Sequence, residues 1–182
     1  EFITKNAPVI LENINGKDLY SETKNAYILV SNAILSEMEL KTTNAKINLN
    51  NINANYSKLN TSNASISIDE IDVRQLYAKT TNAGLKFTNL LNIDNNQYPL
   101  YNIEASTTNG GIYIEIPNDF QIPCKIKAST TSGHVYTDLS NLEIFAKDKN
   151  YLDAKSREYE DAYKKVSMNL QTTNSAIKIK SK

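Results

Sequence analysis

The stretch "LKTTNAKINL", from Leu40 to Leu49, returns almost unchanged as "LNTSNASISI" from Leu59 to Ile68. Both copies contain a Thr-x-Asn-Ala tetrad, and a spacing of 19 residues separates each such tetrad from the next in the first half of the chain. These tetrads begin at Thr4, Thr23, Thr42, Thr61 and Thr80. A fixed period of this length is typical of solenoids and other repeat arrays.

Three altered copies of the tetrad follow at wider intervals. They read "TTNG", "TTSG" and "TTNS" and begin at Thr107, Thr130 and Thr172, after 27, 23 and 42 residues. The later repeats therefore carry insertions. We expect one domain over 1–182, with regular 19-residue coils over 4–79, irregular longer coils over 80–171 and a final strand over 172–182.

The residues between tetrads alternate between apolar and polar. Five and seven positions after the threonine the side chain is almost always apolar, as in Ile47 and Leu49. A second alternating stretch, such as Leu76 to Ala78, leads into the next threonine. Because a period of two residues indicates a strand, each coil should hold two main strands, with room for a third short one.

The tetrad itself is suited to a corner. Asparagine tolerates a left-handed backbone, and the following alanine or glycine leaves room for a bend. Coils stacked at roughly 4.8 Å would pair each strand in parallel with its copy one coil away and would align like side chains in ladders. The predicted corner ladder consists of Asn6, Asn25, Asn44, Asn63, Asn82 and Asn109. A further asparagine file, interrupted at Glu70, consists of Asn13, Asn32, Asn51 and Asn89.

These patterns predict an all-β fold, a single-stranded parallel β-solenoid (β-helix) of about eight coils of about 19 residues. Its hand should be right-handed, as for other parallel crossovers. One segment departs from the repeat: "YLDAKSREYEDAYKKV", residues 151–166, places Leu152, Tyr159, Tyr163 and Val166 near one helical face. We therefore expect a short helix there, lying on the flank or capping the last coils.

Composition excludes several classes of protein. The 20 basic and 20 acidic residues cancel, so no nucleic-acid footprint follows. No apolar run is long enough for a membrane span, so direct membrane insertion is not expected. Cys124 is the only cysteine, which excludes an intrachain disulfide. The chain starts "EFITKNAP" without methionine and inside a repeat, and we interpret it as a fragment or processed form.

Two units carry a family resemblance. "TTNGGIYIEIP" at 107–117 and "TTSGHVYTDL" at 130–139 resemble the bacterial putative-adhesin domains, a β-solenoid family of otherwise unknown function. The resemblance extends over essentially the whole chain. It implies an extracytoplasmic location, at the cell surface or associated with the envelope, without naming a ligand. A cytoplasmic location stays open.

The sequence contains few residues that could form a catalytic or metal site. Asp69, Glu70 and Asp72 are the densest carboxylate cluster, and β-helix glycosidases and lyases use carboxylates on a coil face. No second acidic row is predicted on the neighbouring coils, so a solvated bend is the preferred interpretation. His134 should point outward without a nucleophile to pair with, and Cys124 should be a buried small hydrophobe. We expect no catalytic residue, no metal site and no cofactor.

The sequence gives a stronger indication of a contact surface than of a catalytic site. Eleven tyrosines against four phenylalanines is a bias seen at binding surfaces. The two-residue alternation of the strands directs an apolar and aromatic strip outward. It consists of Pro8, Ile10, Tyr27, Leu29, Tyr113 and Tyr136. The alternative is that residues outside this chain cover the strip. Self-association through the N-terminal coils is also expected, because an uncapped solenoid end presents free strand edges.

Together these features favour a non-catalytic cell-envelope binding, adhesion or scaffold module, with a protein or a surface glycan as its partner. The alternative is a carbohydrate-active β-helix enzyme, a polysaccharide lyase or hydrolase. Two carboxylates about 5 to 9 Å apart in a cleft would favour the enzyme.

Overall fold

The computed structural model describes residues 1–90, 100–117 and 122–182. The insertions at 91–99 and 118–121, which belong to the predicted irregular coils, lie outside the described residues. The chain forms strands β1 (Phe2–Ile3), β2 (Val9–Asn15), β3 (Asp18–Thr23), β4 (Ile28–Thr42), β5 (Ile47–Asn60), β6 (Ile66–Lys79), β7 (Leu85–Leu90), β8 (Leu100–Thr107), β9 (Ile112–Ile116), β10 (Cys124–Thr130), β11 (Val135–Thr137), β12 (Leu142–Asp148), β13 (Tyr151–Ser156), β14 (Lys165–Thr172) and β15 (Ile177–Ser181).

Two stacks of parallel strands form the walls of the solenoid. The segments before each tetrad run in the order β1-β3-β4-β5-β6-β8-β14-β10, and their outer surface is called the pre-corner face. The segments after each tetrad run β2-β4-β5-β6-β7-β9-β15-β11, and their outer surface is called the post-corner face. The predicted all-β parallel solenoid is confirmed, while its right-handed sense and coil count stay predictions.

The tetrad threonines close the corner from inside. The hydroxyl of Thr80, which is 1% exposed, donates to the carbonyl oxygen of Ala64 in the preceding coil at 2.9 Å. Thr61 makes the same bond to Ala45 at 3.2 Å. The buried hydroxyl and the corner carbonyl thereby satisfy each other, which explains why threonine returns at this position.

The tetrad asparagines line the outside of the same corner. Asn63 donates from Nδ2 to Oδ1 of Asn44 at 2.7 Å, and Asn82 donates to Asn63 at 2.7 Å. The ladder runs without a break through Asn6, Asn25, Asn44, Asn63, Asn82, Asn109 and Asn174.

The tetrad asparagines lie in a bend, one of the two conformations expected for them, whereas the left-handed backbone that was the other lies elsewhere. Positive φ angles occur at the second asparagine file and its interruption, namely Asn13 (56°), Asn32 (50°), Asn51 (52°), Glu70 (53°) and Asn89 (48°). Asn44 and Asn63 are not among them. This file marks a second bend, where long strands such as β4 and β5 turn while remaining paired, and asparagine tolerates that conformation better than most residues.

The core is a continuous column of inward side chains. Ile28, Ile47, Ile66, Leu85 and Ile112 stack in register from coil to coil, and each is at most 1% exposed. Apolar residues that recur at one coil position therefore build one uninterrupted interior, which holds both walls together.

The last coil in sequence does not lie last in space. β14 pairs in parallel with β8 on one side and with β10 on the other, and β15 lies between β9 and β11. The expectation that every strand pairs with its copy in the neighbouring repeat is therefore wrong for residues 165–182. The corner bonds fix the new order: Thr172 donates to the carbonyl of Gly110 at 2.8 Å, and Thr130 donates to that of Ser175 at 2.9 Å.

The predicted helix at 151–166 is also wrong. Residues 142–156 form an antiparallel hairpin of β12 and β13, and only a three-residue 3₁₀ turn, Arg157–Tyr159, follows it. Leu152 and Ala154 are buried because β13 pairs antiparallel with β10 and continues the inward alternation. Strand pairing therefore overrides the helix-forming composition, and the hairpin covers the edge of β10.

Candidate binding face

The pre-corner face pairs its own charges. Lys41 bonds Glu22 at 2.9 Å and Lys58 bonds Glu39 at 2.8 Å, each pair bridging neighbouring coils. The Tyr20 hydroxyl donates to Glu22 at 2.6 Å, and this bond raises the pKa of Tyr20 to about 12. The same hydrogen bond, with that from Lys41, lowers the pKa of Glu22. The charges of Glu22, Lys41, Glu39 and Lys58 on this face are thus paired between neighbouring coils.

The post-corner face carries two outward rows of side chains that follow the solenoid axis. The first row is Pro8, Tyr27, Lys46, Ser65, Gly84, Gly111, Ala176 and His134. The second row is Ile10, Leu29, Asn48, Ser67, Lys86, Tyr113, Lys178 and Tyr136.

All six residues of the predicted strip lie on this face, but not together. Pro8, Ile10, Tyr27 and Leu29 form an apolar cluster at its N-terminal end, with Ile10 51% and Tyr27 42% exposed. Tyr136 lies at the far end and Tyr113 lies between them.

Tyr136 has a partner that the sequence did not indicate. Its ring, 51% exposed, stacks on that of His134 with 5.6 Å between centroids and 13° between planes. His134 is therefore part of an aromatic platform on the outside of the solenoid, and its outward direction agrees with the parity of the repeat. The stacking itself has no sequence signal beyond the two-residue spacing.

Between the two ends lies an open groove of about 870 Å³. Its floor is made of small residues, because the first row holds Ser65, Gly84, Gly111 and Ala176 there. A Cβ atom on Gly84 would lie 3.1 Å from the carbonyl oxygen of Gly111, and one on Gly111 would lie 3.1 Å from that of Ala176. Glycine therefore permits close strand packing here and leaves the surface depressed.

Three lysines line this groove: Lys46, Lys86 and Lys178. In the part of the chain that the structure describes, none of them forms an ion pair. The Tyr113 hydroxyl beside them donates to Glu115 at 2.9 Å, which raises the pKa of Tyr113. Glu115 keeps its negative charge while it accepts this bond, so the three lysines outnumber the carboxylate that adjoins the groove.

The carboxylate cluster has structural roles. Asp69 accepts bonds from the Thr88 hydroxyl at 2.7 Å and from Asn89 Nδ2 at 2.8 Å, so it continues the polar ladder where Glu70 interrupts it. Asp72 is 7% exposed, and burial raises its pKa, which the nearby Tyr101 hydroxyl partly offsets. Among the described residues, no group of three or more histidine, cysteine, aspartate or glutamate side chains could hold a metal ion.

Cys124 is buried, at 5% exposure, beside Ser156, whose hydroxyl lies 3.8 Å from Sγ. Burial raises the pKa of its thiol, so the unreactive thiol form is favoured.

The tetrad corners, the parallel walls and the insertions in the later coils define a repetitive β-solenoid class of protein. The chain belongs to the Toastrack DUF4097 family, whose sequence pattern it matches over residues 3–180, and the family resemblance of its repeats is confirmed. No curated protein matches it.

One solved structure, a putative cell adhesion protein from Clostridium sporogenes ATCC 15579, is similar at 15% identity and covers 100% of this chain and 93% of that one. Its TM-score is 0.32. No helix in the described ranges is both long and apolar enough to cross a membrane.

Proposed function

We propose that this chain is a non-catalytic binding module of the bacterial cell envelope, located outside the cytoplasm, and that its post-corner face holds the partner. The contrast between the two faces carries the proposal. On the pre-corner face, Lys41 and Lys58 pair with Glu22 and Glu39 across coils. The post-corner face exposes Ile10, Tyr27 and Tyr136, and its groove lysines form no ion pair among the described residues. Exposed aromatic and apolar side chains of this kind mark contact surfaces.

The solenoid suits this task because each coil presents the same two outward positions. A partner that lies along the axis meets side chains held at a constant spacing by two hydrogen-bonded walls. Such a surface is preorganised, so little conformational freedom is lost on binding. Adhesion and scaffolding both follow from a rigid face of this kind.

Binding to washed bacterial cell-wall sacculi with their attached glycans tests the proposal. The double variant Tyr27→Ser, Tyr136→Ser should bind at least about tenfold more weakly, as expected for aromatic anchors. The variant Tyr163→Ser is the matched control, since Tyr163 is 78% exposed but lies in the segment that follows the hairpin. Equal binding by the parent chain and both variants would refute the role of the face.

The N-terminal coils also favour self-association. β1 pairs with β3 and β2 pairs with β4, and among the described residues no strand pairs with the outer edge of either. Sedimentation of the parent chain beside the variant Tyr27→Lys, Leu29→Lys measures this. A concentration-dependent dimer in the parent alone is expected, and two equally monomeric proteins would contradict it.

A further inference from the structure

The three groove lysines are evenly spaced along the solenoid axis. Lys46 lies in the first row two coils before Gly84, which is on the same coil as Lys86. Lys86 pairs in register with Tyr113, and Tyr113 pairs with Lys178, so another two coils separate the second and third lysines. Each step along the axis corresponds to two strand spacings, or roughly 10 Å, and Lys46 is also offset from the other two lysines by two residues across the face.

The side chains between the lysines are suited to sugar rings. Tyr113 lies between Lys86 and Lys178, and its hydroxyl is held by Glu115, which fixes the ring on the face. Asn48, Ser67 and Ser175 supply amide and hydroxyl groups along the same groove. Small residues leave the floor open to a bulky unit. A flat aromatic surface, short polar side chains and a wide floor together fit a carbohydrate better than an apolar ligand.

The spacing between the groove lysines distinguishes between the kinds of polyanion that they could attract. An extended acidic peptide presents side chains on one side every two residues, roughly 6.6 Å apart. Two linked pyranose rings match the longer step between these lysines.

We propose that the groove between Lys46 and Lys178 binds an acidic polysaccharide that lies along the solenoid axis and places a negative group near each lysine. This inference rests on the proposed function and names the chemistry of its partner. The stacked His134 and Tyr136 continue the groove past Lys178 and would receive the next sugar ring.

Oligogalacturonate is the probe, measured by isothermal titration at low ionic strength beside a neutral malto-oligosaccharide and an acidic oligoglutamate. The parent chain should prefer oligogalacturonate to both. The variant Lys86→Glu, Lys178→Glu should bind it at least about tenfold more weakly, and added salt should weaken the parent more steeply than the variant. The control is Lys79→Glu, at an exposed position of the pre-corner face, which is compared with the single variant Lys86→Glu because each changes the charge by the same amount.

Each other outcome overturns the proposal. Equal binding of the neutral oligosaccharide would show that charge is irrelevant, and stronger binding of oligoglutamate would show that the ligand is a peptide. If oligogalacturonate does not bind while Tyr27 and Tyr136 still govern sacculus binding, the acidic glycan is refuted and the proposed function stands. If the sacculi do not bind either, both fail.

Discussion

Asn174 donates a hydrogen bond from Nδ2 to Oδ1 of Asn109 at 2.7 Å, although 65 residues separate the two in sequence. The tetrad that begins at Thr130 comes between them along the chain, yet in space it lies on the far side of Asn174's coil. The C-terminal segment thus fills a slot between two earlier coils. This order also makes the groove, because it brings Lys178 directly beside Tyr113.

Engineered disulfides test this order. Gln171 is in register with Ser106 on one side and with Ser129 on the other. We expect Ser106→Cys, Gln171→Cys to oxidise readily and Ser106→Cys, Ser129→Cys to remain reduced, as measured by thiol titration and non-reducing mass mapping. Stacking in sequence order predicts the reverse, and the buried Cys124 is common to both variants.

The corner threonine should contribute more to stability than its neighbour. Thr80→Val keeps the shape but removes the hydroxyl that bonds Ala64, so we expect a loss of about 1 to 2 kcal/mol in the free energy of unfolding. Thr81→Val is the control, since Thr81 is exposed in the same tetrad. Urea unfolding measures both, and equal values would contradict the role assigned to the buried hydroxyl.

Glu70 lies where the repeat otherwise has asparagine, at φ 53°. Glu70→Asn should stabilise the protein by about 1 kcal/mol, because asparagine tolerates the left-handed region and can join the ladder from Asn51. Glu70→Gly separates the two effects, since it relieves the backbone without adding an amide. A Glu70→Asn variant less stable than the parent in thermal unfolding would contradict this interpretation.

Asp72 should make stability depend on pH. Its pKa is raised above 3.8 by burial, so its contribution is fully present below that pH and is lost as the pH rises through the folded-state pKa. Asp72→Asn should therefore be more stable than the parent at neutral pH, and the difference should shrink on acidification. Unfolding free energies measured across this range give the difference, and a constant gap would contradict the assignment.

The repeat could be predicted from the sequence because each inward position recurs at one spacing, and Thr80 and Asn63 are at the predicted corners. The spatial order of the coils could not be predicted. "TTNS" at Thr172 carries the same corner signal as "TTSG" at Thr130, and parallel pairing accepts either as a neighbour. Only the packing of the whole chain decides between them.

The dependence on whole-chain packing also explains why the helix at 151–166 was wrongly predicted and why the groove was not predicted. Residues 151–166 are rich in helix formers, but Leu152 and Ala154 also alternate, and the open edge of β10 selects the strand. The alternation of the strands also directs Lys46, Lys86 and Lys178 outward, but this set was not singled out from the sequence. Their even spacing depends on the inserted coil, since sequence order would place Tyr136 between Tyr113 and Lys178.

Residue-by-residue solution NMR of the isotope-labelled chain during titration with oligogalacturonate tests the central claim most directly. The account predicts that the largest shifts in amide and side-chain signals occur along the groove, at Ser65, Gly84 and Tyr113, and at the His134 ring. Signals of Lys41 and Lys58 on the pre-corner face should not shift. Shifts confined to that pre-corner face, or no saturable shift in the groove, would contradict the assignment of the binding face.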